Sequence, residues 1–272
     1  MNEAAFRKHG LSGVLNTLAL SPSQSRVAGL SAGTSALVFG VPASGKTTAL
    51  KALVIGRLRG GLRPEEILVL AANREAATKL RDELALEYQG STPGPLARTI
   101  ASFAFNILRE KSLSLGIKPP ELITGSEQDQ ILSELIDDFL DSPQPEDWPK
   151  HLKRQVMELR GFRAELRDLV TVCLEHDKSP EQLVEEGIRA AKPEWVAMAG
   201  FFAGYLNRLR EPANDNRHDP STLLTVVTRQ LNSEDWPKVA SDLKLIVVDD
   251  AQELTPAAAD LLKALALSLI HI

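Results

Sequence analysis

Three short apolar runs stand out along the chain: SALVFG at 35–40, ILVLAA within 66–72, and LIVV within LKLIVVDD at 243–250. Each has strand length and is bounded by glycine, polar or acidic residues, the pattern of a strand buried on both faces. Between them the apolar residues change rhythm. Leu50, Leu53, Val54 and Leu58 recur at helical spacing and stop at Gly60–Gly61, and REAATKLRDELALEY carries a single apolar stripe. A helix over 14–30 is also expected, with Ser21 or Ser23 able to cap the part running through Val27 and Leu30. Strand, helix, strand, helix is the signature of a parallel sheet wrapped by helices.

After PLARTIASFAFNILRE (95–110) the strand pattern ceases. Residues 115–235 read as helices alone: SEQDQILSELIDDFL, LKRQVMELRGFRAELRDLVTVCL and PEWVAMAGFFAGYLNRL, separated by proline-containing breaks at 143–149, 180 and 212–220. The third strand pattern then arrives and is followed by a helix, TPAAADLLKALAL. The fold class expected is α/β, a P-loop (RecA-like) parallel sheet flanked by helices and interrupted by an all-helical insertion. The boundaries are 1–112 for the first part of the sheet unit, 113–238 for the insertion and 239–272 for the sheet unit resumed.

Composition narrows the classes. A single cysteine, Cys173, excludes an internal disulfide framework and any multi-thiolate metal site, so a reducing cytoplasm is expected. No apolar run approaches ~18 residues, so no membrane association is expected. The net charge of −5 disfavours a protein that coats duplex DNA over a broad face. Residues 51–111 are mildly positive, with ten Lys/Arg against seven Asp/Glu, which fits either a narrow basic channel or a solvated helical surface.

The chemistry begins where SALVFG ends. Gly40-Val41-Pro42-Ala43-Ser44-Gly45-Lys46-Thr47 satisfies G-x-x-x-x-G-K-[ST] at every specified position, and Thr48 follows. Glycine permits the torsions that turn backbone N–H groups inward as an anion nest, and the following helix points its partial positive charge at the same place. Lys46 would reach the β- and γ-phosphates of ATP, and the Thr47 hydroxyl would ligate Mg²⁺. A second half of the site is expected at the tip of another buried strand. There Asp249 would complete the metal shell and Asp250 would orient the attacking water; the alternative is a helix cap beside a solvated neighbour.

Taken together these residues resemble the N-terminal part of UvrD/Rep/PcrA-like superfamily 1 DNA helicases, in ordered segments over the whole chain. LSPSQSRV resembles the adenine-reading segment, which implies Gln24 as base contact, and GVPASGKT the phosphate loop. ILVLAANREAATKL resembles the first DNA-contact segment, with Asn73 and Arg74 as phosphate holders or simply a solvated helix start. RTIASF resembles T-x-H-S-F, which carries over Thr99, Ser102 and Phe103; Phe103 is either the stacking ring for a base or a core phenylalanine. VVDDAQEL resembles the D-E-x-Q-D box and carries over Asp249 and Gln252, with Asp250 at the glutamate position. The stretch GFRAELRDLV…PEWV is further similar to actinobacterial subunits of helicase–nucleases that process double-strand breaks.

The resemblance implies a motor that binds Mg–ATP, single-stranded DNA and single/double-strand junctions, beside a second subunit. In the family the insertion touches the duplex. Arg154, Arg160, Arg163 and Arg167 would serve there, or form a solvated basic face. Two alternatives stay open: a non-catalytic subunit that clamps DNA with a degenerate nucleotide site, and a regulatory P-loop NTPase without DNA.

This chain departs from the family in three respects. Ala71, Ala72 and Ala101 stand where the family has an aromatic, a threonine and a histidine, which implies a looser grip on DNA. The chain ends LALSLIHI, before any counterpart of the second sheet domain and its arginine, so a truncated, poorly soluble product is expected. Asp250 is one methylene shorter than glutamate. Its carboxylate sits roughly 1.5 Å further from the water, and misplacement on that scale costs about 10²-fold in rate. ATP binding should therefore survive while hydrolysis is weak, and Asp250→Glu should raise steady-state ATP turnover strongly if only the base is defective, and barely if the whole site is vestigial. DNA-stimulated turnover of roughly 10 s⁻¹ or more with Asp250 in place would overturn this reading.

Overall fold

The computed structural model describes residues 20–143, 145–146, 148–211, 216–232 and 237–270, with side-chain surroundings through 267. The elements in chain order begin with α1 (Pro22–Ala28), α2 (Lys46–Arg59), β1 (Ile67–Ala71), α3 (Arg74–Glu87), β2 (Ala97–Thr99) and α4 (Ile100–Leu115). They continue with β3 (Glu121–Leu122), α5 (Gly125–Leu140), α6 (Arg154–Met157), α7 (Arg160–Glu175), α8 (Pro180–Arg189) and α9 (Pro193–Leu209). β4 (Arg217–His218), α10 (Leu223–Leu231), α11 (Lys238–Ser241), β5 (Leu245–Val248) and α12 (Pro256–Ile270) complete the chain.

β1 is the centre of the molecule. It pairs in parallel with β2 on one side, Val69 opposite Ala97 and Ala71 opposite Thr99, and with β5 on the other, Ile67 opposite Leu245 and Leu70 opposite Val248. All five of its side chains are buried, as the unbroken apolar run requires when both faces of a sheet are covered. Ile67, Val69 and Ala71 meet Leu50, Val54 and Leu58 of α2 and Ala77, Leu80 and Leu84 of α3. Leu68 and Leu70 point the opposite way, toward Phe103 and Ile107 of α4, Val227 of α10 and Leu261 and Leu265 of α12. One strand thus nucleates two apolar layers.

A third cluster is drawn from residues 123–209, including Ile136, Leu166, Val170, Phe202 and Tyr205. Its polar key is Asp219, which is 0% exposed. Its carboxylate accepts from Tyr205 Oη, from Gln128 Nε2 at 2.6 Å and from the Ser221 backbone N–H at 2.7 Å, tying α5 and α9 to the segment after β4. Buried polar groups cost stability unless they are hydrogen-bonded, and here each of these donors finds its acceptor.

Helix ends follow local chemistry. Ser21, Asn73, Thr99, Thr124 and Ser179 each accept from a backbone N–H of the first turn that follows. α2 stops at Gly60, and Gly61 takes the left-handed φ of +102°. The helix expected over 14–30 is present as α1; residues 14–19 lie outside the described ones.

Three expectations are corrected. Residues 35–40 form no strand: Leu37 is 72% and Phe39 85% exposed, and the sheet consists of β2, β1 and β5. An apolar run becomes a strand only where a neighbour takes its backbone hydrogen bonds, and residues 35–39 make none among the described residues. Residues 115–235 are not purely helical, because β3 and β4 form a two-residue parallel ladder, too short for any periodicity to betray. β2 was not foreseen either; Ala-Arg-Thr carries no alternation to read.

The starts of β1 and β5 are clamped by one carboxylate. Glu66 Oε1 meets Lys244 Nζ at 2.7 Å and Arg63 Nη2 at 3.2 Å, and Glu66 Oε2 accepts from the Arg63 backbone N–H at 2.7 Å. The Lys244 contact, more than any other, holds the Glu66 carboxyl down to about 2 from its usual 4.5. A depressed folded-state value contributes stability that is complete above 4.5 and fades as pH falls from there toward about 2. Thermal unfolding followed by circular dichroism should therefore decline more steeply across that acid window in the native protein than in Glu66→Gln. Parallel declines would show that the clamp contributes nothing.

Candidate nucleotide and nucleic-acid site

The site assembles at the carboxyl end of the parallel sheet, where open α/β sheets hold ligands. α2 opens directly out of the glycine loop. Gly45 caps it with a φ of +82° and offers no side-chain acceptor, so the N–H groups of Lys46, Thr47 and Thr48 stay free to face an anion. Ala43 is left-handed as well, at φ +61°, and the loop closes through a Ser44 N–H to Val41 carbonyl bond of 3.2 Å. Gly40 is packed tightly: a Cβ there would lie 2.5 Å from Ser44 Oγ. Pro42 lies between these turns. Lys46 Nζ donates to the Gly40 and Val41 carbonyls at 2.9 and 3.1 Å.

Two distant segments close on this loop. Gln24, in the first turn of α1, donates from Nε2 to the Gly45 carbonyl at 3.3 Å. Asp249 follows the last residue of β5 and is itself pinned by its N–H to the Leu70 carbonyl at 2.9 Å. Its Oδ2 accepts from Thr47 Oγ1 at 2.8 Å. Sequence reasoning paired Lys46 and Thr47 with Asp249; the fold brings the Thr47 hydroxyl to the Asp249 carboxylate, while the Lys46 ammonium lies on the loop carbonyls.

Asp250 adopts the left-handed conformation, φ +51°, and its Oδ1 accepts from Gln252 Nε2 at 3.1 Å. Its carboxylate is partly exposed beside the loop. Thr47 Oγ1 and the Asp249 carboxylate are two adjacent oxygen donors that could face a divalent cation. Among the described residues no group of three or more His, Cys, Asp or Glu converges into a metal cage, so a cation would need a ligand's own oxygens as well.

The sequence-predicted DNA contacts lie at the neighbouring strand ends. Asn73 caps α3 by accepting from the Ala76 N–H at 2.9 Å, and Arg74 is exposed beside it. Thr99 caps α4 by accepting from the Ser102 N–H at 3.2 Å, leaving the Ser102 side chain exposed. Phe103 is corrected. It is 1% exposed and packs beneath the sheet against Leu68, Leu70 and Ile107, with no ring face to offer a base. Its helical register with Ala104 and Ile107 makes it a core residue.

Three of the four arginines on the helical segment are already engaged. Arg154 is bound to the Leu140 carbonyl at 2.8 Å, Arg163 to Ser133 at 3.1 Å and Arg167 to Asp129 at 2.8 Å. A solvated, self-paired face describes them. One residue that sequence reasoning passed over lies closer to the strand ends: Arg98 of β2, half-buried, with the Pro95 carbonyl as its hydrogen-bond partner among the described residues. A single basic residue before Thr99 carries no motif that would have singled it out.

The family model described as UvrD/REP helicase N-terminal domain matches residues 20–272. No curated protein matches the chain. No helix among the described residues is long and apolar enough to cross a membrane.

Gly45 is the position where geometry is least forgiving, since a Cβ there would sit 2.1 Å from Gln24 Nε2. Gly45→Ala should cost about 1–2 kcal/mol from the left-handed torsion alone, lowering the melting midpoint by roughly 2–8 °C. Removing the clash with Gln24→Ala in the same chain should leave that loss in place; full recovery would show that the torsion is not required.

Proposed function

Because the chain belongs to the UvrD/REP helicase N-terminal domain family, we propose that it is the N-terminal motor part of an ATP-dependent DNA helicase or translocase. The observation that carries this reading is the 2.8 Å bond between Thr47 and Asp249. It draws a glycine-bent loop and an acid-tipped strand to one point although 202 positions separate them in sequence. A lone phosphate loop needs no such partner; a Mg–ATP site does.

In this reading the amides of residues 43–48 and the Lys46 ammonium cradle the triphosphate. Lys46 exchanges its two loop carbonyls for phosphate oxygens, a stronger charge-assisted contact. Thr47 Oγ1 and Asp249 hold Mg²⁺, whose chemistry is to neutralise charge on the phosphates. Gln24, already at the loop, reads the adenine edge. Asp250 orients the water, positioned by Gln252. Asn73, Arg74, Thr99 and Ser102 face single-stranded DNA from the β1 and β2 ends, while the helical segment 113–238 stands as an insertion between the two parts of the sheet unit. A role in DNA repair, a second helicase–nuclease subunit and a cytoplasmic setting belong to the same proposal.

The clamp alternative draws on one observation: the Asp250 carboxylate is short and already bonded to Gln252, which favours nucleotide binding without rapid hydrolysis.

Lys46→Ala tests the nucleotide half. With a fluorescent ATP analogue and Mg²⁺, affinity should fall about 10- to 100-fold, the worth of one charge-assisted contact. Unchanged affinity in the variant would remove the phosphate cradle from the reading.

A further inference from the structure

Arg98 is a charge without a counter-charge. It lies one residue before the end of β2, opposite Leu70. Strand alternation sends its side chain to the face away from Ala97, at the open edge of the sheet. Its Nη2 donates to the Pro95 carbonyl at 3.2 Å and passes 3.6 Å from where a Gly94 Cβ would stand. No carboxylate lies within ion-pair distance among the described residues. The contrast with other part-buried cations is plain: Lys51 meets Glu83, Lys178 meets Glu186 and Arg217 meets Glu127. Burial accordingly pulls the Arg98 guanidinium below its usual value, with no neighbouring charge to pull it back.

A guanidinium has five donors, and partial burial of an unpaired charge costs stability. Such a group is held in readiness for an anion that arrives from outside. The surroundings supply the remaining parts of an anion site. α3 and α4 both begin at this end of the sheet, after β1 and β2 respectively; Asn73 and Thr99 take the Ala76 and Ser102 amides, and both helix starts carry the partial positive charge of a helix N-terminus. Arg74 stands exposed at the first of these helix starts. Asp249 and the glycine loop lie on the other side of β1, so this cluster does not belong to the nucleotide loop.

We propose that Arg98 fixes one backbone phosphate of a bound single strand, with the exposed Arg74 at the start of α3 as a second contact further along it. The inference rests on the DNA-motor reading and adds to it a specific, part-buried anchor in place of the stacking ring that Phe103 cannot supply. It also carries a consequence that a structural role would not share. Removing the charge should not destabilise the free protein, because no internal partner is orphaned by its loss.

The test uses the 272-residue chain with fluorescein-labelled oligo-dT, titrated by anisotropy at several chloride concentrations. Arg98→Gln should bind about tenfold more weakly at low salt. Its slope of log K against log salt should shrink by about 0.7, the contribution of one single-strand phosphate contact. Its melting midpoint should equal or exceed that of the native chain. Arg98→Lys should restore most of the slope, and Arg189→Gln, on the exposed end of α8, should leave both slope and affinity unchanged. Equal affinity and slope in Arg98→Gln, or a loss of binding matched by a lower melting midpoint, would overturn the proposal. Repeating the titrations in inorganic phosphate at matched ionic strength separates a strand from a free anion. If phosphate abolishes the difference between native and Arg98→Gln, the site belongs to the free ion and the proposal fails. If the native chain does not bind oligo-dT at all, the DNA reading falls and this proposal with it, whereas ordinary native binding with an unaffected Arg98→Gln removes only the anchor.

Discussion

A hydrogen bond 2.8 Å long, from the Thr47 hydroxyl to the Asp249 carboxylate, is the constraint around which the rest of the molecule makes sense. It is possible only because β5 runs parallel to β1 with Leu70 opposite Val248, and because the Asp249 N–H is held by the Leu70 carbonyl. A slip of one residue in that register would turn Asp249 to the opposite face of the sheet. The register is in turn held at its other end by Glu66, whose two cationic partners reach it from just before β1 and just before β5. Two polar fixtures, one at each end of one strand pair, thus convert an apolar ladder with little intrinsic preference for register into a defined platform.

Much of this platform was legible in the sequence. ILVLA and LIVV read as strands because both faces of the β1–β5 pair meet apolar layers, and α2, α3 and α12 read as helices because each keeps one apolar stripe. The glycine loop and the acidic strand tip were legible because their chemistry fixes residue types at fixed spacing. What failed did so for nameable reasons. SALVFG has the composition of a buried strand, but strand formation depends on a neighbouring backbone, a property of the whole sheet rather than of six residues. Phe103 was ambiguous because a phenylalanine on the first turn of a helix serves a core and a binding face equally well until the helix's direction is known. β2, β3 and β4 are two or three residues long, below the length at which a period exists.

The distribution of charge separates the parts that serve folding from those that wait for a ligand. Glu66 and Asp219 are buried, and donors are arrayed around them, so their ionisation is compatible with a stable chain. At the sheet's carboxyl end the logic inverts. Among the described residues Lys46 meets carbonyls of its own loop and Arg98 meets one carbonyl, and α2 starts without a side-chain cap, unlike α3 and α4. Lys46, Arg74 and Arg98 at this end outnumber the acid in the first turn of α3, Glu75, and make a rim that suits phosphate although the chain as a whole is acidic.

Asp250 shows how backbone and chemistry compete for one position. The chain must turn sharply after β5, and residue 250 does so in the left-handed region, φ +51°. Aspartate and asparagine tolerate that region better than longer side chains because their short polar group bonds locally, as the Asp250 carboxylate does with the Gln252 amide. The turn therefore selects for the shorter acid at the place where the reaction favours the longer one. In the proposed site the bond to Gln252 fixes Asp250 Oδ1 and leaves Oδ2 as the oxygen that would accept from water, on a side chain one methylene shorter than glutamate. On the proposed reading nucleotide capture rests on Lys46, Thr47 and Asp249 and turnover on Asp250, so the local turn at 250 bears on the second alone.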